Sequence, residues 1–118
     1  VESEQAGSEV AEALRHAIAI SEQTEVTVLD VEELGQGWTA EEALAISVAC
    51  FLTDLEPREQ FLLAVNHSGD SDSTGSILGN LIGANKGIQA IPEQWRRDLE
   101  MVSVIRSVGR ELSGDDVV

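Results

Sequence analysis

The chain has almost nothing to hold it together covalently. A lone cysteine, Cys50, among 118 residues excludes an intrachain disulfide. Its apolar setting, "ALAISVACFL", marks it as core filling rather than as a reactive thiol. A single unpaired thiol suits a reducing, cytoplasmic compartment. Aromatic residues are also scarce, with two Trp, two Phe and no Tyr. The apolar mass therefore comes from Ala, Leu, Val and Ile, a mixture suited to closely packed helices. Basic residues number 7 against 22 acidic ones, for a net charge of −15. Such a surface repels phosphate backbones, so nucleic-acid binding is not expected. It does not suit an anionic membrane either. No apolar run reaches the roughly 20 residues that a membrane span needs. The first residues, "VESEQAGSEV", are acidic and polar, unlike a secretory leader.

What is present reads as helix. "SEVAEALRHAIAIS" (8–21) spaces Val10, Leu14 and Ile18 at a helical period. The next stretch, "EQTEVTVLDVEELGQG", contains "VTVL", but no strand partner of similar quality exists. It is therefore expected to be an irregular link with one helical turn. A helix starts at "TAEEALAISVACFL", where Thr39 and Glu42 have capping-box spacing. That helix is apolar on most sides and should be buried. Pro57 suits the first position of another helix. Further helices follow from about Ser73 to Ala90 and from Pro92. The last, in "LEMVSVIRSVGREL", is expected to close the fold through Met101, Val104, Ile105 and Val108. Residues 113–118 read as a frayed tail. The sum is all-α, a compact multi-helix orthogonal array of about five or six helices in one unit, 1–118.

The stretch "NHSGDSDSTGSILGNLIGANKG" (66–87) departs from this ordinary pattern. Asp70 and Asp72 sit two apart among hydroxyls, and Gly75, Gly79, Gly83 and Gly87 follow at intervals of four. One cap satisfies a helix start, yet Asp70, Asp72, Ser73 and Thr74 offer four candidates. An EF-hand would need a bidentate Glu at its twelfth position, and that position is Leu81. An Asp-x-Asp nucleophile on a parallel strand lacks its βαβ surroundings. A magnesium-type site remains, since hard cations take oxygen ligands and two carboxylates in a turn can converge on one. The glycine ribbon is read as a device that lets another helix pack close behind this turn.

Three motifs, "LGQGWTAEEALAISVACFL", "FLLAVNHSGDSDSTGSILGNLIGANKG" and "IPEQWRRDLE", together resemble the C-terminal half of the ADP-ribosylglycohydrolases, or ADP-ribosylhydrolases. The likeness covers roughly residues 8–112. It implies a partial version of a larger all-helical domain. It also implies hydrolysis of the bond linking ADP-ribose to a modified side chain or related acceptor, with two magnesium ions. By the same resemblance, Asp70, Asp72 and Ser73 are metal ligands, and Gly35, Gly37 and Trp38 lie near the bound ADP-ribose. The family's other metal cluster and its acidic catalytic residue have no counterpart here. Thr53-Asp54 is followed by Leu55, and Asp115-Asp116 lies in the tail. The resemblance thus implies half of a dinuclear site, a partner in the missing N-terminal half, and an isolated chain without activity. The expected substrate is an ADP-ribosylated protein or a small ADP-ribose conjugate. The alternative is a non-enzymatic structural or ADP-ribose-binding relative of the same fold.

Overall fold

The computed structural model describes residues 2–114. Along them run α1 (Glu2–Ser21), α2 (Val28–Glu32), α3 (Ala40–Leu52), α4 (Pro57–Val65) and α5 (Ser71–Lys86). A 3-10 turn (Ile88–Ala90), α6 (Glu93–Arg97) and α7 (Val102–Ser113) complete them. No strand occurs among the described residues, so the fold is all-α as expected. "VTVL" contributes to the short α2 rather than to a sheet.

Helix α3 is the hub, packed against α1, α2, α4 and α5. Its sequence explains this. Ala43, Ala45, Ile46, Ser47, Ala49 and Cys50 are all buried, and they cover most of the helix circumference. The small alanines let neighbouring backbones approach, and Ile46 fills the space between them together with Leu78 and Ile82 of α5. Burying side chains of this size stabilises the fold by about 1.5–3 kcal/mol each. Gln60, buried on α4, closes the C-terminal end of α3. Its amide donates to the carbonyls of Phe51 and Thr53 at 2.9 and 3.2 Å, which would otherwise lack intrahelical partners. Pro57 stands in the first turn of α4, where its missing N–H costs nothing.

Four local expectations need correction. Thr39 is the N-cap of α3, but its side chain makes no capping bond. Glu42 lies instead against the Gly35 backbone. The capping box forms at α2, where Thr27 N–H donates to Asp30 Oδ2 at 2.7 Å and Asp30 N–H to Thr27 Oγ1 at 3.4 Å. On α1 the buried positions are Ala17 and Ile20, while Ile18 faces outward.

The glycine ribbon is not one device. A Cβ at Gly75 would crowd Val65, one at Gly79 would make ordinary contact with Phe61, and one at Gly83 would meet nothing. Gly87 ends the helix at φ +84°. Finally, α7 does not close the fold. Met101, Val104, Ile105, Val108 and Leu112 are all exposed. The expected frayed tail lies, from residue 115 onward, outside the described residues. Among the described residues no helix is long and apolar enough to cross a membrane.

Burial pushes the Cys50 thiol up to about 12. Ellman's reagent at pH 8 should therefore leave the folded chain untouched and titrate one thiol only after unfolding. Because Gly83 faces open space within α5, Gly83→Ala should stabilise the chain by about 0.5–1 kcal/mol, read as a raised urea midpoint. An unchanged or lowered midpoint would show that the glycine has a packing role.

Candidate functional site

The turn at 66–70 is built from the inside. His67 is buried, and both its ring nitrogens are used. Nδ1 accepts the Gly69 N–H at 3.0 Å. This fixes the tautomer, so Nε2 carries the proton toward Thr74 Oγ1, 2.9 Å away. The Thr74 hydroxyl in turn donates to the Ala64 carbonyl at 2.6 Å. One buried imidazole and one buried hydroxyl thus tie the end of α4, the turn and the first turn of α5 into a single unit. Ser47 of α3 adds a strut, its hydroxyl lying 2.7 Å from the Ala43 carbonyl and 3.1 Å from the Thr74 carbonyl. Every buried side-chain N or O atom among the described residues has a partner.

A second segment is fastened to this unit from outside. The Asp70 amide donates to the Gln36 carbonyl at 2.7 Å, and Glu32 Oε1 accepts the Ser68 N–H at 3.0 Å. The backbones approach so closely that a Cβ on Gly69 would overlap the Gln36 carbonyl. Gly37, at φ +79°, sits over Thr74 and Asp70 in a conformation that L side chains rarely adopt. The loop carrying Gly35, Gly37 and Trp38 is therefore adjacent to the turn carrying Asp70, Asp72 and Ser73. Trp38 projects outward, 70% exposed, with its indole N–H on Gln36 Oε1 at 2.8 Å.

Asp70 precedes the first residue of α5, and Asp72 and Ser73 lie in its first turn. The Asp70 carboxyl is held below the usual carboxylate range. The largest cause is the Asp72 carboxyl within hydrogen-bonding reach, followed by the Ser73 side chain. The Ser73 backbone contributes less. Two carboxyl groups and a hydroxyl therefore face one another at a solvent-accessible helix start, an arrangement of hard oxygen donors. Among the described residues, no group of three or more His, Cys, Asp or Glu converges, so the carboxylates stand as a pair. Thr53 and Asp54 take no part. The Thr53 hydroxyl donates to the Cys50 carbonyl.

Sequence reasoning did not single out His67, Gln36 or Glu32, and it took Thr74 only as a candidate helix cap. One signal was available. It is the His67-Ser68-Gly69 stretch itself, a histidine and a glycine in a turn between two apolar helices.

Thr74→Val keeps the shape of the side chain but leaves His67 Nε2 and the Ala64 carbonyl unpaired. It should cost about 1–3 kcal/mol in urea unfolding, while Thr74→Ser should recover most of the loss. Equal stability of all three proteins would mean that the network does not hold the turn.

A family model described as ADP-ribosylglycohydrolase matches residues 1–117. The ADP-ribosylhydrolase ARH3 of Mus musculus is 28% identical over 81 residues, covering 59% of this chain and 22% of the relative. ARH3 of Homo sapiens is 29% identical over 81 residues, with the same coverage of each chain. The ADP-ribosyl-[dinitrogen reductase] glycohydrolase of Rhodospirillum rubrum is 37% identical over 62 residues, covering 52% of this chain and 20% of the relative. The chain thus spans 20 to 22% of the length of these curated relatives. No solved structure matches.

Proposed function

The chain belongs to the ADP-ribosylglycohydrolase family, and on that premise we propose that it supplies the C-terminal part of a hydrolase. That enzyme would cleave the bond linking ADP-ribose to a modified side chain or related acceptor. The observation that carries the reading is the weld between the Gly35–Trp38 loop and the Asp70 turn. It puts the two segments that the family resemblance assigns to one ligand side by side.

The donor set fits a magnesium ion in part. Asp70, Asp72 and Ser73 would hold it through carboxylate and hydroxyl oxygens, and the rest of a dinuclear site would come from the N-terminal part. Bound there, magnesium would supply positive charge beside the ribose and orient its hydroxyl groups. The chain's own groups do the remaining work. Asp70, kept ionised by its neighbours, presents a fixed negative charge at the helix start. His67 and Thr74 keep the turn from shifting as ligand binds. Trp38, pinned by its N–H, offers a flat exposed face beside the turn. The acidic catalytic residue would come from the N-terminal part, as the family resemblance implies.

The exposed face of α7 is consistent with that division. Ile105, Val108 and Leu112 form an apolar stripe with no cover among the described residues, which the N-terminal part would cover in the whole enzyme.

Isothermal titration of ADP-ribose with magnesium into this chain, joined to the N-terminal part, tests the reading. Binding should require the metal. In that complete protein, Asp70→Asn and Asp72→Asn should each reduce turnover by at least about 100-fold while leaving the helical circular dichroism intact. Binding that ignores magnesium would instead favour a non-enzymatic ADP-ribose-binding relative.

A further inference from the structure

Arginine is concentrated at one place in this acidic chain. Arg96, Arg97 and Arg106 line a groove of about 340 Å³ between α6 and α7, together with Glu93 and Val102. These are three of only seven basic residues, set against 22 acidic ones. Among the described residues none of the three is ion-paired. The recorded bridge, Arg58 to Glu59 at 3.8 Å, lies elsewhere. Even Glu93, on the rim of the same groove, is not within pairing distance of them.

Part of this has a local cause. Arg96 and Arg97 fall in the last turn of α6, where cations favour the helix end. The Nε of Arg96 donates to the Ile91 carbonyl at 2.9 Å, which fixes the direction of its guanidinium. Arg106 has no such cause. It comes from within α7, a separate helix, and faces the same space. Three like charges in one concavity repel each other, and no carboxylate among the described residues pairs with them.

We infer that the groove between α6 and α7 is a binding site for a small multivalent phosphate, with Arg96, Arg97 and Arg106 as its ligands. Guanidinium forks match phosphate oxygens in pairs. One arginine is pre-oriented and the other two are free to close. The overall charge of −15 rejects a long polyanion but not a compact one held at short range. A diphosphate engages all three forks, whereas a monophosphate satisfies fewer. The groove shares no residue with the Asp70 turn or the Gly35–Trp38 loop, so this site is independent of the proposed hydrolase reading.

Titration calorimetry of the 118-residue chain with inorganic pyrophosphate, without divalent cations, tests the site. The expected result is saturable binding with one site per chain, and binding of inorganic phosphate about tenfold weaker or more. Arg97→Ala and Arg106→Ala should each weaken pyrophosphate binding about tenfold. Arg110→Ala makes the same change in net charge outside the groove and should leave the affinity within about twofold. Circular dichroism confirms that each variant is folded. Two results overturn the inference. One is the absence of saturable heat at millimolar pyrophosphate. The other is equal weakening by Arg110→Ala and Arg106→Ala, which would reduce the effect to diffuse charge.

Discussion

The arrangement depends on one backbone hydrogen bond, from the Asp70 amide to the Gln36 carbonyl. It joins segments more than thirty residues apart and leaves no room for a side chain at Gly69. Everything at the candidate site is placed relative to this bond. Asp72 and Trp38 each follow a partner of this bond by two residues in the chain. A bond of this kind adds ~1 kcal/mol net, so alone it could not hold two loops in register. It holds because each strand of the contact is also braced from within.

That bracing comes from buried polar groups with their partners made. The imidazole of His67 and the hydroxyl of Thr74 stand in a row between the Gly69 amide and the Ala64 carbonyl. Ser47 carries the support into α3. A buried polar network of this sort is costly when incomplete and rigid when complete. Here it is complete. The rigid part of the chain is therefore the core around α3 together with the Asp70 turn. For the proposed magnesium site this would matter, because a small hard cation demands near-ideal geometry.

The far side of the chain follows different physics. On α6 the Trp95 ring meets Phe61 of α4 edge-on at 5.8 Å between centroids. The apolar face of α7 has no cover among the described residues. The basic groove beside it concentrates charge that the rest of the surface lacks. One end of the fold is thus an internally satisfied polar network. The other presents apolar stripe and arginine groups that still want partners.

The sequence alone determined the helical class, the burial of α3, the burial of Cys50 and the helix start at Pro57. Each depends on local period or composition, which a linear reading captures. The closeness of Asp70, Asp72 and Ser73 was legible because the turn and the helix start they occupy are contiguous in the chain, while their choice as metal ligands is what the family resemblance implies. Only the tertiary structure decided that Gly35–Trp38 lies against that turn, since the contact is made by a backbone carbonyl and no side chain announces it. It also decided that Glu42 turns to Gly35 rather than capping α3, and that the four regularly spaced glycines serve different ends. Period is a property of one helix, but what a missing side chain makes room for depends on which neighbour stands opposite.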